Sequence, residues 1–569
     1  MRSSDWIAAP LVVVLLLAGC ATVPTNGPVE HHSPQAAGVN SGVHVDPLPP
    51  ANGASQLLVV EGFLHAMGVY QPNYAIARQY LTETASGGWR PDSGVQIYAD
   101  GPAPTDAAPS VLVAPLVGSI DDTGVFSPAS GQRQLRHDFG LVQDAAGQWR
   151  ISHPPDGLLV SRYLFSISFV SANLHFLDTS GQVLVPDPRF FPAGDQAPAA
   201  VVEAQLAGPS AWLAPVVQKV DTEGMRVEGV TLNNDGLMDI RLSEGSKRLT
   251  GVQQKELLAG LAFTMTGLSQ VSAVQVTAGG QPWRTDFGLA QVGPNNFADL
   301  APENSTAPRV LFVVREQKLS RMRDAANWTD FVEVSAALDN PEAIAVRSDL
   351  AEVAAVTGSG TTLETAAINS GKATQLRSGI GLLRPDYARN GELWSFDASG
   401  PGSLRVYVGD AMRKVDVTGL PKDPVVAVKL APDGARLAVV LRRGDQTEVG
   451  LAAVVRTKDA IELTGWRTID VTMNTGTAGS ALDLGWYSPS ELAVLQTGSG
   501  GETSVIKVSQ DGATATDIGP SNSASLGQLA VVPERQPVAL GNGGGAYRFD
   551  GEFNWALSIV GVDALAYSG

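Results

Sequence analysis

The sequence predicts a multidomain chain, two α+β units followed by an all-β propeller. Three patterns carry that prediction. Apolar residues recur at helical spacing from Ser55 and then switch to strand spacing up to Ile151. A second run of strand, helix and strand fills the stretch up to Trp283. Beyond Pro308 no helical stripe is found, and one turn-then-strand phrase returns at intervals of roughly 40–55 residues.

The N-terminus comes first. Arg2 precedes an apolar run from Trp6 to Leu17, closed by Ala18, Gly19 and Cys20. The run is too short to span a bilayer and has the layout of an export signal. Leu17-Ala18-Gly19-Cys20 resembles the bacterial lipobox, which implies cleavage before Cys20 and acylation of its sulfur. Residues 1–19 are then a signal peptide, and the acyl chains on Cys20 hold the chain on the lipid bilayer at about 0.8 kcal/mol per buried methylene. Cys20 is the one cysteine in 569 residues, so disulfides, thiolate nucleophiles and thiolate metal sites are excluded from the mature body.

Residues 20–54 read as a flexible tether, punctuated by Pro24, Gly27, Pro28, Pro34, Pro47, Pro49 and Pro50. His31 and His32 lie in it and read as solvated. All seven histidines fall at or before His175, which leaves the rest of the chain without an imidazole for base catalysis or zinc. No Gly-x-Ser-x-Gly elbow is present. The formal charge of −18 argues against nucleic acid and against electrostatic attachment to anionic lipid.

In residues 55–157, Val59, Phe63 and Met67 form one helical face, and a second helix follows Pro72 and stops near Thr82. Strands are expected at Val95 to Tyr98, Val111 to Val117, Leu135 to Val142 and Trp149 to Ile151. Helices packed on a curved antiparallel sheet resemble the nuclear transport factor 2-like cone, a fold that often encloses a pocket. His137 and Asp138 could line it, but polar positions on a strand beside Phe139 are the preferred reading.

Residues 158–290 open with a hairpin, Leu174 to Leu177 and Val183 to Val185 about a turn at Asp178 to Gly181. A helix runs from Val201 to Leu206. A strand from Arg226 to Leu232 carries a possible bulge at Gly229 and turns at Asn233 to Gly236 into Leu237 to Leu242. Asp235 and Asp239 lack the spacing of a calcium loop. Thr250 and Gln253 stand at capping-box spacing ahead of an apolar stripe, Leu257, Leu261, Met265 and Leu268. A strand from Val271 to Val276 follows. This order, with Leu206-Ala207-Gly208-Pro209, resembles the GerMN domain of exported bacterial proteins, which implies a binding or assembly module.

In residues 305–569 the phrase recurs at Ser348 to Val356, Arg389 to Trp394, Ala431 to Val440, Ser488 to Leu495 and Val532 to Leu540. That gives about five blades, with a sixth if Val310 to Val314 pairs with a final strand around Ala564 to Tyr567. Pro432-Asp433-Gly434 resembles turns in bacterial propellers of the TolB and YWTD kind. Ser370 to Thr374 lacks the leading glycine of a phosphate loop, since Ala366 stands there.

Lipobox, tether, cone, GerMN unit and propeller together resemble the LpqB lipoproteins of actinobacteria, notably at Leu17 to Pro24 and at Ala77 to Thr82. The resemblance implies an extracytoplasmic, lipid-anchored accessory protein of the MtrA–MtrB two-component system. It would touch the sensor kinase MtrB and serve envelope homeostasis and division. No enzyme activity, cofactor or metal is expected. The rival reading is a solute- or glycan-binding lipoprotein using the cone pocket or the propeller channel, where Trp394, Trp466 and Trp486 could stack on sugar rings, although burial within blades is the preferred reading of these tryptophans.

Overall fold

The computed structural model describes residues 46–569, apart from 130, 132, 287, 304–308, 473–478, 499 and 521–524. Cys20, His31 and His32 lie outside the described residues. No described helix is long and apolar enough to cross a membrane.

The first module begins before Ser55. Residues 46–54, read from sequence as the end of the tether, are held down: Tyr80 donates its hydroxyl to the carbonyl of Leu48 at 2.7 Å, and the Gly53 N–H reaches Gln148 Oε1 at 2.6 Å. Helix α1 (Gln56–Gly68) starts where the Ser55 hydroxyl accepts the N–H of Leu58, and it buries Val59, Val60, Phe63, Leu64 and Met67. A Cβ at Gly62 would meet the Tyr80 ring at 2.7 Å, so a side chain here would force Tyr80 to shift.

The single helix expected after Pro72 is broken into a 3-10 turn (Pro72–Tyr74), α2 (Ala75–Gln79) and α3 (Glu83–Gly88). Asn73 and Tyr74 adopt φ of 57° and 49°, which no continuous right-handed helix tolerates. The sheet runs Phe126–Pro128, Val111–Ile120, Val95–Tyr98, Leu158–Ser161, and Gln134–Asp138 also pairs with Val111–Ile120. The stretch from Leu135 to Val142 is therefore two strands, divided where Phe139 turns into the core and Gly140 takes φ of 60°.

The expected boundary at Leu158 is also displaced. Leu158–Ser161 pairs in parallel with Val95–Tyr98 and completes the first sheet, a long-range partner that local pattern does not reveal. Helix α4 (Arg162–Ser168) then leads to the second module.

That module opens with a two-stranded ribbon, Phe169–Leu177 and Leu184–Pro192. Helix α5 (Ala197–Ala207) follows, then a sheet in the order Val227–Leu232, Leu237–Leu242, Ala273–Ala278, Gln281–Pro282. The register slips between Val227 and Gly229, where the bulge was expected. Helix α6 (Gly251–Thr266) carries the predicted Thr250–Gln253 capping box and makes the crossover between the parallel strands Leu237–Leu242 and Ala273–Ala278. Val292 and Phe297 belong to this core, so the module extends past the expected end at 290.

Residues 311–567 form a propeller. Among the described residues it has six four-stranded blades, blades 3 and 4 being joined edge to edge where Lys414, Val415 and Asp416 pair with Ala460, Ile461 and Glu462. Blade 1 takes its innermost strand, Ala564–Tyr567, from the far end of the domain, paired antiparallel with Leu311–Arg315. Six apolar clusters fill the six gaps between neighbouring blades, so the ring is closed.

The modules are interlocked. Ala435 and Ala453 of blade 4 enter the core of the second module, and Ala513 of blade 5 enters the core of the first. Arg189 donates to Thr123 O at 2.7 Å, tying the second module to the first. Gln510 donates to Pro186 O at 3.0 Å, and Asn173 to Ser490 Oγ at 3.1 Å.

Candidate functional site

The recurring phrase is the turn between the innermost and second strands of a blade, and it lies at one end of the ring. Two surfaces are built there, the junction with the modules and the mouth of the central channel.

At the junction, Arg436, Gln510, Asp511, Asp187 and Arg189 are buried, and Arg467, Trp212 and His175 are half-buried. Arg436 donates to Asp433, to Gln510 and, at 2.9 Å, to Pro489 O, and its guanidinium lies 4.8 Å from the Trp486 ring centroid. Arg467 sits 3.8 Å from the centroid of Trp212, whose indole N–H donates to Gly465 O. Burial pushes the Arg467 guanidinium down to about 10, and burial raises the Asp511 carboxyl. Asp187 and Arg189 form a buried pair at 2.8 Å. His175 hydrogen-bonds through Nδ1 to Thr264 Oγ1 at 3.3 Å, and burial lowers its pKa to about 4. A neutral, enclosed imidazole of this kind is a structural group.

The channel itself is closed at mid-depth. Arg384 reaches from blade 3 to Asp483 of blade 5 at 2.7 Å and to Leu529 O of blade 6 at 2.7 Å. Lys429 pairs with Asp386, which also accepts the Leu430 N–H at 2.8 Å. A space of about 20 Å³ beside these groups has room for one water.

Above this plug the mouth opens into a cavity of about 270 Å³ lined by Arg309, Tyr387, Arg389, Lys429, Trp486 and Pro533. The segment 299–303, between module and propeller, crosses its rim. Arg389 donates to Ala301 O at 3.0 Å, and Arg309 donates to Pro533 O at 2.6 Å and to Glu303 O. Burial lowers the pKa of both arginines and raises that of Glu303.

The sequence-derived candidates fare differently. Trp394 and Trp486 are 0% and 1% exposed, buried within blades and covered by Arg456 and Arg436, so neither offers a face for a sugar ring. Trp466 is half-buried and donates to Glu448 at 3.3 Å. His137 packs against Phe139 at 4.6 Å and pairs through Nε2 with His153 O at 2.9 Å, on the strand position expected, and Asp138 is exposed at the strand end. The interior of the first module is filled by Phe63 against Tyr80, Trp89 and Phe139. Arg309 and Arg389 escaped the sequence reading. The one signal was a charged residue opening the phrase at Arg389.

Comparison with known proteins agrees with this division. Residues 49–166 match the family described as "Lipoprotein LpqB, N-terminal domain", residues 173–283 "Sporulation and spore germination", and residues 317–557 "Lipoprotein LpqB beta-propeller domain". The chain is 31% identical to Lipoprotein LpqB of Cutibacterium acnes, covering 97% of each chain. It is 26% identical to Lipoprotein LpqB of Streptomyces avermitilis, over 98% of this chain and 96% of that one. Among solved structures, the tandem GerMN domains of the sporulation protein GerM from Bacillus subtilis align with 27% of this chain and 59% of that one, at 17% identity and a TM-score of 0.20.

Proposed function

The chain belongs to the LpqB lipoprotein family, and from that premise we propose that it is a lipid-anchored accessory regulator of the sensor histidine kinase MtrB. In this reading Cys20 is acylated and holds the protein on the extracytoplasmic face of the cell membrane. The three modules act by binding, without catalysis, on signalling linked to envelope homeostasis and division.

The observation that carries the reading is the buried polar junction. Arg436, Gln510, Asp187 and Arg189 are each 3% exposed or less, so the modules present one continuous surface to a partner. A rigid surface loses little freedom on docking, which leaves more of its contact energy for affinity. Regulation then requires only that this surface fit one kinase conformation better than the other.

The test is binding between the soluble mature chain, with Cys20→Ser, and the isolated extracytoplasmic domain of the kinase. Saturable binding that survives moderate salt is expected. Absence of binding both in solution and when the two are anchored in the same vesicles overturns the proposal.

A further inference from the structure

Four arginines half-buried or buried in the propeller each have a carboxylate partner: Arg377 with Asp397, Arg384 with Asp483, Arg436 with Asp433 and Arg456 with Glu392. Arg309 and Arg389 do not follow that pattern. Among the described residues, neither has a carboxylate within 4.0 Å, and their bonds go to backbone carbonyls alone. Carbonyls fix the two guanidiniums in place and leave each without a direct ion pair.

Both face the same cavity, and each lies in the field of the other. Glu303 and Glu534 act on Arg309 from a distance, as Asp433, Asp178 and Glu303 do on Arg389, and Asp299 lines the same cavity; burial and Glu534 make ionisation of Glu303 less favourable. At the floor, the Lys429 ammonium is already committed to Asp386. The walls include Pro432, Pro533, Val531 and Val532, whose apolar atoms strengthen charge interactions made beside them. A partly desolvated pair of like charges without direct counter-ions is stabilised by an anion that enters between them.

We propose that the propeller mouth binds a small organic anion, with one carboxylate or phosphoryl group seated between Arg309 and Arg389. Its body lies against Pro432 and Pro533. The cavity of about 270 Å³ admits a compact solute and excludes a polysaccharide segment. This site is independent of the kinase reading, and either can fail without the other.

The test is titration calorimetry on the soluble mature chain with Cys20→Ser, using inorganic phosphate and succinate as probes at fixed ionic strength. One-site binding of at least one probe is expected, with a Kd on the order of millimolar or tighter. Arg309→Gln and Arg389→Gln each weaken it about tenfold, as loss of a charge-assisted hydrogen bond requires. Arg389→Lys keeps the charge and retains part of the affinity, and Arg284→Gln in the second module leaves it unchanged. Melting curves without probe are read first; should Arg389→Gln unfold, Arg309→Gln and Arg389→Lys decide. Binding of phosphate alone assigns a phosphoryl ligand, and binding of succinate alone assigns a carboxylate. Neither probe binding at tens of millimolar, or binding that ignores both arginine substitutions, overturns the site.

Discussion

Arg436 and Asp433 form an ion pair in which neither side chain reaches solvent, at the turn of blade 4 where the propeller meets the second module. Asp433 belongs to the Pro-Asp-Gly phrase that marks the blade repeat, and its Oδ1 also accepts the Ala435 N–H at 2.8 Å, the bond that shapes the turn. In blades 4 and 5 the repeat turn therefore has two duties. It closes a hairpin, and it forms part of the seat for another module.

Asp433→Asn keeps the turn acceptor and removes the charge, leaving the Arg436 guanidinium buried against neutral acceptors. We expect a loss of about 3–5 kcal/mol in unfolding free energy, measured by denaturant titration. The double variant Asp433→Asn/Arg436→Met takes away the orphaned charge and should recover most of that loss. A single variant as stable as the parent would show that the pair contributes nothing.

Trp212 is the aromatic anchor of the second module on blade 4, stacked under Arg467. Trp212→Ala exposes a buried guanidinium and empties its seat, weakening the junction by about 2 kcal/mol or more. Limited proteolysis should then cut between module and propeller, in the region of residues 299–303, sooner than in the parent. Unchanged cleavage kinetics would contradict a junction held by this residue.

His175 makes stability depend on pH in a defined window. Its pKa falls from the ordinary 6.5 to about 4 in the folded chain, because burial disfavours the imidazolium and Arg436 adds repulsion. The unfolded chain takes up the proton first, so the contribution is complete above pH 6.5 and is lost as pH falls toward 4. At about 1.4 kcal/mol per unit the effect approaches about 3 kcal/mol. His175→Gln should flatten the fall in melting temperature across that window, and a variant with the parental slope would refute the assignment.

Cys20→Ala tests the anchor. The expected result is a chain that no longer partitions into detergent and whose mass lacks acyl groups. An acylated Cys20→Ala product would place the lipid elsewhere.

Local signals in the sequence were sufficient for the capping box at Thr250 and Gln253, the bulge at Gly229 and the hairpin phrases, because each is fixed by neighbours in the chain. The failures share a physical cause. Leu158–Ser161 joins the first sheet through a partner some sixty positions away, Val95–Tyr98, and no local pattern names a partner strand. Gln510 meets Pro186 across 324 positions, and Arg309 and Arg389 line one cavity only because the ring brings blade ends together. Groups assembled by closure are invisible until the closure is known.

Closure itself explains why five phrases give six blades. The phrase joins a blade's innermost strand to its second, and blade 1 has no such turn because those strands come from opposite ends of the domain. Leu565 faces Val313 across that seam, with both side chains at 0% exposure in the cluster between blades 1 and 6. Leu565→Ala opens a cavity there and should cost about 2–5 kcal/mol. Removing residues 564–569 does more, since it leaves Leu311–Arg315 as an unpaired apolar edge facing the channel. The truncated chain should lose cooperative unfolding in the propeller and aggregate, followed by calorimetry and light scattering. A truncated chain that melts like the parent would mean that the six-blade ring does not depend on this strand, and the seam would have to be placed at another blade.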